Sequence, residues 1–237
     1  MEWKNLFKKE PKIKKPREVG VFREYFELIA ETLVYVFFVT TFLLQSFVIP
    51  TSSMEDTLLV GDHLLVNKVA YSRSISALDR LVLPQTEITR GMIVTFKAPP
   101  EMEKEFVKRV IALPGESISI ENKKVFINGK PLAEPYVYFK DPNIENGFRD
   151  NFPPYKVPEG NFFCMGDNRD NSFDCRYWGP VPADYIIGKP WRIYWSYDST
   201  SAEYLTPGIF NKVKDLVLTV VNFFGKTRWS RTIKKVV

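Results

Sequence analysis

Residues 32–49, TLVYVFFVTTFLLQSFVI, run for 18 positions without a charged side chain, and nothing else restricts the chain's architecture as much. As an α-helix the run is about 27 Å long, close to the ~30 Å hydrocarbon thickness of a bilayer. A helix buried in a soluble core usually keeps a polar side over about five turns, and this one has none. A cleavable export signal has a shorter apolar stretch followed by small residues, whereas this run closes on Phe47-Val48-Ile49-Pro50. The reading is a transmembrane helix over 26–49. Glu27 and Glu31 lie one turn apart near its inner boundary, within reach of head groups.

Charge sets the orientation of that helix. Residues 1–23 hold eight Lys/Arg and three Glu, which leaves 25 basic and 25 acidic residues in the remainder. The formal net charge of +5 therefore reports a tail rather than a basic body. A basic segment (1–25) before a span marks the cytoplasmic side, so everything after Pro50 is expected outside; nucleic acid is not an expected partner. With 237 residues, 45% of them apolar and 26% charged, the chain can fold one large or two small domains.

Beyond Pro50 the hydrophobic period changes to short apolar or alternating runs at 63–66, 92–96, 106–111, 162–165 and 191–195, so the body is mainly β. Residues 116–132, ESISIENKKVFINGKPL, alternate cleanly around Asn128-Gly129, a type I′ hairpin signal. Residues 131–160 are rich in Pro, Asn, Asp and Gly and read as a loop-heavy excursion. The expected layout is a β core from 50–113 and 161–198, a smaller β insertion at 114–160, and a C-terminal amphipathic segment over 199–237. In that segment Val213, Leu216, Val217, Val220 and Phe224 fall at helical spacing before a basic, tryptophan-bearing end. The run is too short to cross a bilayer; it reads as an interfacial helix, with an ordinary packing helix as the alternative. Cys164 and Cys175 are the only cysteines, so no disulfide framework exists; a single bridge between them stays open.

His63 is the only histidine and starts a strand, GDHLLV, where a structural role is favoured. A serine nucleophile here needs another base, and Ser-Lys is the known alternative to a histidine triad. A lysine serves only when apolar surroundings keep it neutral. Lys108 has such neighbours in EFVKRVIALPG, although the segment alone favours a lysine pointing out from a half-buried strand. GDNRDNSFDCRYWG, residues 166–179, looks like a calcium loop by composition. Its spacing fails: Arg169 falls at the third position and Trp178 where a bidentate Glu belongs. A self-contained polar network, with Asp and Arg paired and Asn bonded to backbone, fits better, and such networks often hold an active site in shape. No metal and no cofactor is expected.

Taken together, IPTSSMEDTLLVGDHLLVNKVAY, RGMIVTFK, FVKRVIALPGE and GDNRDNSFDCRYWG resemble, in order and spacing, the successive boxes of bacterial type I signal peptidases, membrane-bound Ser-Lys enzymes that remove signal peptides. The resemblance covers roughly residues 30–197. It implies a membrane helix followed by an all-β signal-peptidase core, with Ser53 as nucleophile and Lys108 as general base. It also implies that Thr51 and the Ser53 amide form the oxyanion hole, and that Ser172 orients the lysine. Asp174 and Arg176 match a bracing ion pair, and Ile49, Pro50, Phe106 and Val107 match the walls of shallow pockets for Ala-x-Ala sites. The implied partners are the signal peptides of preproteins, membrane lipid and the neighbourhood of the export machinery. The implied location is the bacterial plasma membrane, with one pass and the catalytic domain outside.

Three positions depart from the commonest pattern of that family: Thr51 for serine, Asp56 for a frequent proline, and Cys175 for serine. Two rivals stand beside this reading. A self-cleaving Ser-Lys repressor is soluble and cuts itself at an Ala-Gly or Cys-Gly bond that this chain lacks. A catalytically inactive, membrane-tethered β domain that binds peptides would have no need of both Ser53 and Lys108.

Overall fold

In the computed structural model the described residues are 20–71, 86–99, 101–205 and 208–236. The basic tail expected at 1–25 lies outside them up to residue 19. Two compact units result, one ending at Val39 and one beginning at Thr40.

The first unit is helix α1, Val21–Phe38, which continues through a π turn, Val39–Leu43. Residues 21–43 form a helix long and apolar enough to cross a membrane. None of the α1 side chains is buried, the opposite of a core helix. Its polar groups are satisfied locally: Arg23 pairs with Glu27 one turn on (2.6 Å), and Thr32 Oγ1 donates back to the Leu28 carbonyl (2.7 Å).

The helix ends earlier than the uncharged run does. Residues Leu44–Val48 form strand β1, which pairs antiparallel with β2, Asp62–Asn67, in a register that sets Val48 against His63. Hydropathy cannot see this switch, because a five-residue apolar stretch fits a strand as well as the end of a helix. Backbone pairing to β2 decides it, and Lys68 Nζ caps the freed Thr41 carbonyl (2.7 Å).

The second unit is antiparallel β. Strands β3 (Ile93–Ala98), β4 (Glu101–Ala112), β9 (Asn161–Met165), β10 (Val181–Pro182) and β11 (Ile186–Ser196) join β1 and β2 in a seven-stranded sheet of order β1-β2-β11-β3-β4-β9-β10. A second sheet, of order β7-β6-β5-β8, is built from β5 (Ser117–Glu121), β6 (Lys124–Ile127), β7 (Lys130–Pro131) and β8 (Phe152–Lys156). Asn128 and Gly129 both take positive φ (51° and 76°), the type I′ geometry that their sequence predicts. The 122–123 turn does the same (49° and 68°) without glycine.

Short helices complete the chain: α2 (Cys175–Trp178), α3 (Ser201–Leu205), α4 (Ile209–Val221) and α5 (Phe223–Lys226).

Two apolar clusters hold the second unit. One joins both sheets through Val94, Phe96, Val110, Ile118, Val125 and Phe163. The other gathers Ile49, Met54, Leu58, Leu64, Ile193 and Val236, and so clamps the loop after β1 onto the sheet. Gly61 makes that clamp possible. Its φ is +85°, and a Cβ there would meet the Tyr197 carbonyl and Ser199 Oγ, so no side chain fits.

Candidate active site

Pro50 ends the backbone pairing of β1, and the chain turns into a single 3-10 turn, Ser52–Met54. Met54 is buried in the second apolar cluster, which fixes its neighbour Ser53 at the wall of a cavity of about 570 Å³. Lys108 reaches the same point from β4, where it stands opposite Val94 of β3. Its Nζ hydrogen-bonds Ser53 Oγ at 2.5 Å, across 55 residues of sequence.

The electrostatics of Lys108 follow from its seat. The residue is 4% exposed, with the Phe106 ring 5.6 Å from Nζ. Burial pushes its ammonium down to about 8; Asp174 pulls it back up and Arg176 pushes it down again. Roughly a tenth of the molecules then hold it neutral at pH 7, against fewer than about one in a thousand for an ordinary lysine. The outward-pointing alternative for Lys108 does not hold: a buried amine beside a hydroxyl is poised to take a proton.

The cavity walls bring together most of the residues singled out from sequence. Ile49, Pro50, Thr51, Ser53, Phe106, Val107, Lys108 and Ser172 all line it. Thr51 is exposed and stands at the start of the 3-10 turn. Among the described residues the Ser53 N–H donates no hydrogen bond. Ser172 is buried and its Oγ has no hydrogen-bond partner among the described residues. Lys108 has its hydrogen bond to Ser53, and none to Ser172 accompanies it.

Asp174 and Arg176 sit behind the lysine. Asp174 caps α2 by accepting from the Arg176 N–H (3.2 Å) and binds the Arg176 guanidinium through both oxygens (2.9 Å each). Burial alone raises the Asp174 carboxyl, but Arg176 overrides it and holds the group below the usual carboxylate range. Arg176 also donates to the carbonyls of Arg149, Arg169 and Ser172, so it ties the segment around Arg149 to the 166–174 segment.

The Asp/Arg/Asn network expected in 166–179 is present, but it is not self-contained: its partners include Ser52, Ser53, Glu55, Thr57 and Arg109. Asn168, fully buried, donates its backbone N–H to the Ser53 carbonyl (3.1 Å) and its amide to the Ser52 carbonyl (3.1 Å) and Glu55 (3.0 Å). Asn171 donates to Ser52 Oγ (2.8 Å), which gives that serine a structural task. Asp167 takes a fork of two bonds from Arg109 (2.9 and 2.7 Å) and one from Thr57 (2.6 Å). Since Arg109 follows Lys108 on one strand, the two side chains leave on opposite sides. The only sequence signal for these clamps is the density of Asn and Asp in the 166–174 segment. The 114–160 region adds to the frame: Lys123 pairs with Asp170 (2.8 Å), and Glu134 holds Arg169.

Gly166 shows how closely the parts are fitted. A methyl group there lands on the Ser53 carbonyl oxygen and Ser172 Oγ. Gly166→Ala is expected to lower turnover about 100-fold by displacing the Ser52–Met54 turn, while the protein still unfolds cooperatively on heating. Turnover and thermal unfolding measured side by side check this; unchanged turnover would contradict it.

Sequence comparison decides what kind of protein carries this site. Residues 22–195 match the family described as "Signal peptidase, peptidase S26". The chain belongs to that family.

The peptidase is similar to signal peptidase I of Pseudomonas fluorescens, 33% identical over 215 residues that cover 77% of this chain and 75% of the other. Signal peptidase I of Leptolyngbya laminosa is 34% identical over 187 residues, covering 78% and 86%. That of Aquifex aeolicus is 32% identical over 247 residues, covering 79% and 90%. The peptidase is thus a hydrolase of a signal-peptide-processing family, and its apolar helix fits a single membrane span.

Four positions that stood out in the sequence gain a physical account. Asp56 takes φ +75°, which the ring of a proline forbids, so aspartate in place of proline matches the shape of this turn. His63 is half-buried against Trp195 and Tyr194, and burial lowers its pKa despite the adjacent Asp62. Cys164 and Cys175 are both buried free thiols, and the Cys164 N–H points at Cys175 Sγ (3.1 Å).

Proposed function

We propose that the peptidase removes signal peptides from exported preproteins by a Ser53–Lys108 dyad acting through an acyl-enzyme. The observation that carries this reading is the 2.5 Å contact between Ser53 Oγ and a buried lysine whose pKa falls to about 8.

In the reactive state the hydrogen bond reverses. Neutral Lys108 accepts the Ser53 proton as Oγ attacks the scissile carbonyl. The unused Ser53 N–H and the Thr51 hydroxyl receive the oxyanion. Collapse breaks the C–N bond, and the Lys108 ammonium returns its proton to the departing amine. Water, deprotonated by the same lysine, then cleaves the ester and frees Ser53. The buried Ser172 hydroxyl, unpaired at rest, accepts from Lys108 once the Ser53 bond reverses, and the Asp174–Arg176 pair keeps that segment in place.

Backbone topology favours an extended substrate. β1 is an edge strand, and β9 pairs with β4 only from Arg109 onward, so residues 105–108 keep one edge free. A peptide strand between these edges gains main-chain hydrogen bonds, and its side chains meet Ile49, Pro50, Phe106 and Val107. Shallow apolar walls of this kind take alanine one and three residues before the cut. The basic tail, cytoplasmic under the positive-inside rule, puts the catalytic unit outside the plasma membrane. There a preprotein held in the same bilayer beside the export machinery meets it at high effective concentration.

The test is cleavage of a reporter preprotein in liposomes. Cleavage is expected directly after an Ala-x-Ala site and is lost when the last alanine becomes phenylalanine. His63→Ala is expected to keep the rate within about twofold, since no step uses the imidazole. Cleavage at unrelated sites, or a dependence on His63, would overturn the reading.

A further inference from the structure

Helix α4 is amphipathic the wrong way round for a helix that packs on a protein. Its less exposed described positions, Asp215 and Thr219, together with Asn222 just beyond it, form a polar stripe. Leu216, Val217, Leu218, Val220, Val221 and Phe224 are 46–80% exposed. A soluble helix hides that side and shows the other.

The protrusion is built, not loose. Phe223 stacks on Trp195 of β11 with 5.9 Å between ring centroids, and Phe224 stacks on the exposed Trp229 at 6.2 Å. Backbone bonds from Asp198 to the Lys226 carbonyl and from Arg228 to the Ser196 carbonyl (2.8 Å each) fix the end of the segment to the sheet. Arg231 adds an ion pair to the buried Asp62 (2.6 Å). An apolar side facing outward is thus held by rigid anchors.

Charge says what covers it. Residues 208–237 contain seven Lys/Arg and one Asp, whereas residues 24–207 contain 18 Lys/Arg and 24 Asp/Glu. A second copy would bring its own seven cations to the same patch and repel. An anionic lipid surface offers the matching sign, and its acyl boundary accepts exposed Leu, Val, Phe and Trp side chains. The same chain carries a helix long and apolar enough to cross a membrane, so lipid is a surface that each copy meets.

We propose that α4, α5 and the Trp229 turn form a lipid-docking surface for anionic head groups, with the apolar side of α4 lying in the bilayer interface. The proposal deepens the membrane-anchored reading above but does not depend on the dyad.

Full-length protein carrying Val217→Cys or Val221→Cys, labelled with an environment-sensitive fluorophore, is reconstituted in phosphatidylglycerol/phosphatidylcholine vesicles with or without brominated acyl chains. Cys164 and Cys175 are buried and spared by the label. Both labels are expected to lose at least about half their intensity in brominated lipid, and a Thr219→Cys label much less. Replacing Lys212, Lys214 and Lys226 together by Gln is expected to lower the quenching at least about twofold, as is omitting the anionic lipid. Cleavage of a short water-soluble peptide by the same samples reports folding and the dyad separately, and is expected to stay unchanged. Labels at 217 and 221 that resist quenching while peptide cleavage persists would overturn the docking surface. So would efficient cross-linking of unlabelled Val217→Cys between two copies, which would assign the patch to a dimer.

Discussion

Replacing Ser53 by Ala, or Lys108 by Met, is expected to lower preprotein cleavage by at least about 10³-fold, with substrate binding little changed. Under the proposed dyad the serine substitution removes the atom that would form the acyl bond, and no other hydroxyl in the 3-10 turn reaches Lys108: Ser52 Oγ accepts from Asn171 instead. The lysine substitution leaves a full serine without a base, and general-base catalysis is typically worth about 10²–10⁴-fold. The double variant is expected to be no worse than the Ser53 variant alone, because the two side chains act as one unit. Single-turnover rates in detergent or liposomes check this. Normal turnover in Lys108→Met would remove the lysine from the mechanism.

The second large effect is a dependence on pH that raises activity and stability in adjacent windows, activity below about pH 8 and stability between about pH 8 and pH 10.4. Lys108 must be neutral to accept the proton, and its folded value is about 8. The rate constant kcat/KM is therefore expected to rise about tenfold per pH unit below pH 8 and to level off above it. For stability, the folded value lies below that of the unfolded chain, so the folded protein binds fewer protons between about pH 8 and pH 10.4. Burial of the charged lysine opposes folding in full below about pH 8, and the penalty fades as pH rises towards 10.4. Lys108→Met removes it. This variant is expected to be about 3 kcal/mol more stable than the parent near pH 7, with the difference closing above about pH 10.4. A dead enzyme with a raised melting temperature separates loss of the base from loss of the fold. Denaturant unfolding at pH 7 and pH 10.5 measures the gap, and a less stable Lys108→Met at pH 7 would contradict it.

These effects rest on features of uneven visibility in the sequence. The β character of the body was legible because strands such as Asp62–Asn67 and Ser117–Glu121 alternate cleanly between the core and the surface. The Asn128-Gly129 turn was legible for a local reason, the positive φ that both residues tolerate. The end of the membrane helix was not: Leu44–Val48 is as apolar as what precedes it, and only pairing with a strand nearly twenty residues downstream makes it β. For the site, the segment alone favoured an outward Lys108, and only the resemblance pointed to a buried base; the residue is buried. Its 2.5 Å contact with Ser53 depends on the β3–β4 pairing and on Met54 seated in a core cluster, neither of which is a local property. Backbone-bonded Asn in the 166–179 network was legible, but its acceptor, the Ser53 carbonyl, was hidden, since backbone acceptors leave no trace in residue identity.

The inverted helix α4 shows the same limit from the other side. Its spacing predicted an amphipathic segment, and spacing alone cannot say which side faces the protein. The partly buried Asp215 and Thr219 decide it. The side chain of Val213, first in the predicted stripe, lies outside the described residues.

Covalent capture of the nucleophile tests the Ser53–Lys108 mechanism most directly. A serine-directed acylating inhibitor is incubated with the reconstituted peptidase over pH 6–10, and the adduct is located by peptide mass spectrometry. One adduct on Ser53 is expected, with a rate that rises about tenfold per pH unit up to about pH 8 and is lost in Lys108→Met. An adduct on another residue, or one that forms on Ser53 at the parental rate without Lys108, would contradict the mechanism.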